Sequence, residues 1–206
     1  MELKALSVEG FINETGSSSP APGGGSIAAL NGAAGAALIE MVAALTIGKE
    51  KYAAVEEEMK AIQAKAHDMK AQFLAYIDED SAAFNKIMAA FKLPKESDED
   101  KKARSAAIQE ATKGAALVPF KIGELANELL PLAAAVIEKG NQNAITDGAV
   151  ATMNARTSVH GAFLNVKINL GSIKDEAFVA DLTAKMEAIE NSIDEKEQAL
   201  LNKVTL

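Results

Sequence analysis

The sequence predicts an all-α protein, a bundle of long, partly kinked antiparallel helices. The chain of 206 residues is rich in Ala, Leu, Ile, Glu and Lys and only 4% aromatic, a composition typical of helical proteins. Apolar residues recur three and four positions apart along most of the chain, and no alternation of useful length predicts a strand. The length suffices for one sizeable core, so we interpret residues 1–206 as a single domain.

Composition also limits the functions. Without cysteine the chain has no disulfide framework and no thiolate metal site. A net charge of −8 argues against a nucleic-acid partner, because binding to phosphates needs a basic surface. The N-terminus lacks the pattern of a signal peptide, and no metal-binding motif occurs. We therefore expect a cytoplasmic protein without a resident metal or cofactor.

A loop rich in Gly, Pro and Ser follows the first helix, which Ser7 can cap. Residues 16–26 read GSSSPAPGGGS, which indicates either a flexible linker or an ordered loop that leads into a helix. In the second case glycine lets a ligand approach the backbone, and the free N–H groups of the helix N-terminus face it. Ser26 is the predicted N-cap of that helix.

The second predicted helix spans residues 27–46 and is apolar enough to raise the question of a membrane span. Its small residues, four apart, favour a buried helix with a close-packing face, so we expect no membrane partner. Glu40 is either a solvent-facing residue or a second carboxylate of a site. The turn that follows carries Lys49 and Lys51, which either are solvated or meet an anionic ligand.

The longest predicted helix, residues 52–91, contains neither Gly nor Pro. Its apolar positions form one face that includes Met59, Phe73, Tyr76 and Phe84. Asp80 lies on that face, where the pattern calls for an apolar residue. A carboxylate there costs several kcal/mol unless it is paired, hydrogen-bonded or protonated, and such groups are enriched at functional sites.

Three further helical regions complete the chain. A capping box at Ser97 starts one of them, and Pro119 and Pro131 predict a kink or restart and a second bend. Asn143 or Thr146 can cap the next helix, which runs to about residue 170, and Asp175 begins the last. Asn165 and Asn169 share a helix face, so their amides need partners, either neighbouring helix ends or a polar ligand.

Several motifs together resemble the cyclodeaminase/cyclohydrolase family of folate enzymes. In order, they are SPAPGGGS at 19–26, LTIGKEKY at 45–52, DSAAF at 80–84, KLPK at 92–95, GN at 140–141 with Asp147, and LNVKIN at 164–169. The resemblance covers nearly the whole chain and implies an all-helical homodimer that acts on tetrahydrofolate carrying a one-carbon unit.

The family resemblance implies two possible activities. One is hydrolysis of 5,10-methenyltetrahydrofolate to 10-formyltetrahydrofolate, and the other is closure of 5-formiminotetrahydrofolate to the methenyl form with release of ammonia. The turn Thr46-Ile47-Gly48-Lys49 looks like that of the stand-alone cyclohydrolases, so we put hydrolysis first. An environment-tuned carboxylate can serve as base and then as acid, and Asp80 is our candidate.

The resemblance also implies substrate-binding residues. We expect the loop Pro22, Gly23, Gly24, Gly25 and Ser26 to line the folate pocket through its N–H groups. Lys49, Lys51 and Lys95 are candidates for the anionic glutamate tail. Asn165 or Asn169 is the candidate for the pterin edge.

A hypothesis from another class is a folate-binding or structural helical dimer without activity. That hypothesis predicts an Asp80 satisfied by a lysine or a helix N-terminus and facing no pocket. The enzyme predicts an Asp80 that opens onto a cleft with the glycine-rich loop.

Overall fold

A computed structural model describes residues 2–205, and within them the regular structure is helical, with seven α-helices and three short 3₁₀ segments. The all-α prediction is confirmed. The α-helices are α1 (Val8–Thr15), α2 (Gly24–Ala44), α3 (Glu56–Phe91), α4 (Asp98–Asn127), α5 (Leu129–Lys139), α6 (Ile145–Leu170) and α7 (Glu176–Leu201). The 3₁₀ segments are Leu3–Ala5, Glu50–Val55 and Gln142–Ala144.

Helix α2 lies at the centre of the bundle, packed against α3 on one side and α6 on the other. Small residues make both contacts close, because a Cβ at Gly32 would overlap the ring of Phe73. On the other side the Ser158 hydroxyl donates to the carbonyl of Ala28 at 2.7 Å. By length and composition α2 passes the test for a membrane span, yet half of its apolar window is buried inside the protein. Its apolarity is thus explained by its central position.

Two predicted helix starts are wrong. Helix α2 begins at Gly24 after an N-cap at Gly23, so Ser26 is not the cap but a fully buried residue of the first turn. The long helix begins at Glu56 rather than residue 52, because residues 50–55 form a 3₁₀ segment. Both positions make contacts with distant segments instead: the Ser26 hydroxyl donates to the carbonyl of Ile77, and the Tyr52 hydroxyl accepts from the N–H of Gln142.

The later helices follow the sequence more closely. Ser97 forms the predicted capping box with Asp100, and Asp175 caps α7 through the N–H of Phe178. Helix α4 continues through Pro119 instead of restarting. The chain does break before Pro131, which lies in the first turn of α5. The cap expected at Asn143 or Thr146 is wrong, because Asn141 caps a 3₁₀ segment ahead of α6.

Candidate functional site

The second half of α3 forms one wall of a cleft of about 430 Å³, a volume ordinary for a small-molecule site. Helix α4 forms the opposite wall, and the C-terminal end of α6 and the glycine-rich loop close one end. Its lining residues are Pro20, Ala21, Gly23, Gly24, Gly25, Asp80, Phe84, Ile87, Met88, Phe91, Ile108, Thr112, Ala115, Asn165, Ile168, Asn169 and Ser172. The cleft therefore joins Asp80, the three glycines of the predicted loop and both predicted asparagines, whereas Ser26 is fully buried and does not line it.

Asp80 lies half-buried where the first turn of α2 meets α3. The Ser26 hydroxyl is 3.1 Å from Oδ2 of Asp80. Burial raises the pKa of the Asp80 carboxyl above its usual range, and the hydrogen bonds from the hydroxyl and the backbone N–H of Ser26 oppose that shift. Since desolvation is the larger effect, this carboxyl binds a proton more readily than an ordinary aspartate.

Ser26 can satisfy Asp80 in either protonation state. Its Oγ is also 3.0 Å from the carbonyl of Ile77 and 3.2 Å from the hydroxyl of Ser81. When Asp80 is ionised, the Ser26 hydroxyl can donate to it; when Asp80 is protonated, the carboxyl can donate to Ser26 while Ser26 donates to Ile77. An acid that must lose and regain a proton needs such a partner.

Glycine in the loop is required by close approach. A Cβ at Gly25 would overlap the carboxylate of Asp80, and one at Gly24 would lie 2.9 Å from Nδ2 of Asn165. Both side chains therefore contact the bare backbone at the N-terminus of α2. The first N–H groups of a helix have no partner inside the helix, so this end of the cleft offers donors to a ligand.

The two asparagines are held by main-chain carbonyls. Nδ2 of Asn165 donates to Gly161 at 2.8 Å, and Nδ2 of Asn169 donates to Asn165 and to Ala115 at 2.8 and 3.1 Å. The carbonyl of Ala115 is free because Pro119, four residues later, has no N–H. Asn169 thus uses both N–H bonds of its amide and Asn165 uses one of two, and the Oδ1 atoms of both remain as acceptors in the cleft.

The cleft changes character along its length. Near Asp80 it is polar, and beyond it the walls are apolar, with Phe84, Ile87 and Met88 on α3 and Ile108 on α4. Phe91 closes the far end and is 49% exposed. The sequence placed Phe84 on the apolar face of the long helix, and the apolar spacing that resumes after Asp80 gave no sign that the bundle opens there.

Other predicted site residues do not line the cleft. Pro22 is buried beside it, after a cis peptide bond from Ala21, and Lys95 lies in the loop after α3. Lys49 and Lys51 follow the far end of α2, about 30 Å from Gly24 for a helix of this length.

Glu40 also lies outside the cleft. It is partly exposed, forms an ion pair with Lys70 and a hydrogen bond with His67 of α3, and these partners lower the pKa of its carboxyl. Of the two interpretations of Glu40, the structure supports a surface residue rather than a second carboxylate of this site. Among residues 2–205 no cluster of three or more His, Asp or Glu side chains is arranged to hold a metal ion.

Known proteins match most of this chain, either over most of their own length or over one region of a longer protein. A methenyltetrahydrofolate cyclohydrolase from Methylorubrum extorquens is 42% identical over 88% of each chain. The formimidoyltransferase-cyclodeaminase of Mus musculus is 37% identical over 85% of this chain, which spans 32% of that longer protein. The crystal structure of a formiminotetrahydrofolate cyclodeaminase from Thermotoga maritima superimposes with a TM-score of 0.88 at 30% identity, covering 98% of both chains.

The family relationship follows from these matches and from a family model. The model described as formiminotransferase-cyclodeaminase matches residues 7–188, which include every residue that lines the cleft. The resemblance inferred from the motifs is thereby confirmed. This chain belongs to the formiminotransferase-cyclodeaminase family.

Proposed function

We propose that the protein hydrolyses 5,10-methenyltetrahydrofolate to 10-formyltetrahydrofolate, with Asp80 as general base and then general acid. The observation that carries the proposal is the half-buried Asp80 at the polar end of a cleft that also holds the glycine loop and Asn165. The 42% identity to a methenyltetrahydrofolate cyclohydrolase over most of both chains supports the choice of reaction. The proposal requires no resident cofactor, since the folate itself is the substrate.

In the first step Asp80 takes a proton from water while the hydroxide adds to the methenyl carbon. That carbon bridges N5 and N10 as an amidinium-type cation, so it is already electrophilic. The cation beside Asp80 favours the ionised carboxylate and offsets the effect of burial on its pKa. The N–H groups at the start of α2 can stabilise charge on the added oxygen.

In the second step the protonated Asp80 gives its proton to N5. The bond from the carbon to N5 then breaks, the added oxygen becomes the formyl oxygen on N10, and its proton goes to solvent. The reaction thus consumes one cation and one water and yields 10-formyltetrahydrofolate and a proton. Ser26 partners Asp80 in both states, so the carboxyl needs no rearrangement between the steps.

Binding follows from the polarity of the cleft. The Oδ1 atoms of Asn165 and Asn169 can accept from the amino and ring N–H groups of the pterin edge. The aminobenzoyl ring then fits between the apolar walls around Phe84 and Ile108. This orientation leaves the glutamate tail at the Phe91 end.

Cyclodeamination of 5-formiminotetrahydrofolate is the second candidate, and the Thermotoga maritima cyclodeaminase with nearly the same fold favours it. Asp80 would remove the proton from N10 as N10 attacks the carbon of the protonated formimino group. Asp80 would then give that proton to the amino group on this carbon, which leaves as ammonia and yields the methenyl cation. Both reactions need one carboxyl that alternates between base and acid, so the residue types do not distinguish them.

The test measures the loss of 5,10-methenyltetrahydrofolate absorbance at a pH where spontaneous hydrolysis is slow. Asp80→Asn should reduce kcat about 10²- to 10⁴-fold, the usual contribution of a general base, with an unchanged circular dichroism spectrum. Glu79→Gln, which changes the neighbouring exposed acid, is the matched control and should retain activity.

Ammonia release from the formimino substrate without methenyl hydrolysis would select the second candidate. Folate binding without either reaction would leave the non-catalytic hypothesis.

The homodimer is also a proposal, for which the exposed surface gives the reason. Large apolar side chains lie exposed on the neighbouring helices α2 and α6, with Leu164 and Ile168 exposed by 63% and 76%. The others on this face are Met41, Leu45, Val150 and Met153. Apolar surface of this kind marks protein interfaces. Light scattering should show a dimer that Leu164→Glu dissociates, whereas Val8→Glu on α1 should leave it intact; a monomeric wild type would refute the proposal.

A further inference from the structure

Arg104, which was not among the predicted site residues, places a cation at the apolar end of the cleft. Arg104 belongs to α4, one turn before Ile108, and shares the helix face that continues through Thr112 and Ala115. Its guanidinium lies 5.6 Å from the centre of the Phe91 ring. The group therefore borders the end of the cleft opposite Asp80.

Arg104 is held in place but not neutralised. Its Nε and Nη2 donate to the carbonyl of Phe91 at 3.3 and 3.1 Å, and within residues 2–205 no carboxylate forms an ion pair with it. The other arginine of the chain, Arg156, pairs with Asp194 and Glu197. A guanidinium has five N–H bonds, so Nη1 and one N–H of Nη2 remain available to a ligand.

We propose that Arg104 binds a carboxylate of the substrate's glutamate tail. This inference rests on the proposed function and adds the residue that recognises the tail. Phe91 and Asp80 lie 11 residues apart on α3, about 16 Å along a helix, so a substrate with its one-carbon bridge at Asp80 directs its other end toward Phe91. Guanidinium pairs with carboxylate through two parallel hydrogen bonds, and the stacked ring restricts its orientation.

Arg104 supplies a cation next to the cleft, which Lys49 and Lys51 do not. The lining residues include no cation, although the tail of the substrate is anionic. Lys49 and Lys51 lie beyond the opposite end of α2, whereas Arg104 is anchored to a residue that lines the cleft. Arg104 therefore replaces these two lysines as the candidate within the chain.

The experiment compares two substrates, 5,10-methenyltetrahydrofolate and 5,10-methenyltetrahydropteroate, which lacks the glutamate. Arg104→Gln should raise KM for the first about tenfold, the cost of losing a hydrogen-bonded charge pair of ordinary strength. It should leave kcat and the KM for the second unchanged. Lys102→Gln removes the same charge from an exposed neighbour on α4 and should change neither KM.

The bond from Arg104 to the Phe91 carbonyl also stabilises the end of α3, so a structural role must be separated from binding. A structural role would change KM for both substrates by the same factor, and that result would overturn the proposal, as would an unchanged KM for the glutamate substrate. Arg104→Lys keeps the charge and should recover part of the affinity. Calorimetric titration with tetrahydrofolate and tetrahydropteroate gives the same comparison without catalysis, so an inactive wild type would refute the proposed reaction while the tail contact is still tested.

Discussion

The two halves of α3 have the same apolar periodicity and different functions. In the first half Met59, Met69 and Phe73 are almost completely buried against the rest of the bundle. In the second half Phe84 and Phe91 continue the same face but line the cleft. Asp80 lies at the boundary, three residues after Ile77. Before this point α3 packs against α2, and after it the same face of α3 lines the cleft.

The difference shows that apolar periodicity identifies the covered face of a helix but not what covers it. Protein covers the first half, because Gly32 of α2 allows the Phe73 ring to approach its backbone. Along the second half α4 stands away and leaves a cleft, which we expect a folate to fill. The four predictions below test this contrast between a closed and an open half.

Truncation of one phenylalanine in each half should give the largest contrast. Phe73→Ala removes a fully buried ring and should lower the free energy of unfolding by about 3–5 kcal/mol. Phe91→Ala should lower it by about 1 kcal/mol or less, because half of that ring is already exposed, but should raise KM. Urea denaturation and steady-state kinetics measure both. Equal losses of stability would mean that the two halves do not differ.

Glycine substitutions test whether the boundary tolerates a methyl group. Gly25→Ala would place a Cβ in the carboxylate of Asp80, and a displacement of about 1 Å can cost about 10²-fold in rate. We expect a loss of that order in kcat. The control is Gly114→Ala in α4, where the new Cβ meets nothing within 4 Å and should stabilise the helix by about 0.5–1 kcal/mol. Full activity of Gly25→Ala would contradict the contact.

Asn169 should contribute to both stability and binding. Asn169→Ala leaves the carbonyl of Ala115 without its donor, since Pro119 supplies none. An unsatisfied buried carbonyl costs about 1–3 kcal/mol, which thermal or urea denaturation can measure. Asn169→Ala combined with Pro119→Ala, which restores a helical N–H, should cost less than the two changes added separately. Additive losses would show that the amide and the proline are not coupled.

Removing the Asp80 charge should increase stability at neutral pH, the smallest of the four effects. Burial raises the folded-state pKa of this carboxyl, so the ionised form present at neutral pH opposes folding. Asp80→Asn should therefore melt at a higher temperature at pH 7. The advantage should shrink as the pH falls through the raised pKa, because wild-type Asp80 then becomes protonated. Glu79→Gln is the control and should show no such pH-dependent gain.

The elements of the fold could be predicted because each has a local cause. Spacings of three and four define the helices, Ser97 and Asp100 form a capping box within four residues, and Gly140 ends α5. Asp80 was recognisable for the same reason, as one carboxylate in an otherwise apolar helix face. The family itself could be inferred from short motifs read in order.

The site could be predicted only in part, because its geometry depends on helices far apart in the sequence. Ser26 partners Asp80 instead of capping α2, because α2 approaches α3 at this point. Asn169 donates to the carbonyl of Ala115, which Pro119 leaves without a helical N–H, because α6 packs on α4. Neither contact leaves a signal in its own segment.

The sequence by itself determined the helices, the family and the carboxylate in an apolar face, since these depend on residues within a few positions of one another. Only the tertiary structure decided that the bundle closes over Phe73 and opens at Phe84, that Lys49 lies far from the cleft, and that Arg104 borders it. Those facts depend on which helix packs opposite each face, and the spacing of residues along one helix carries no information about its neighbour.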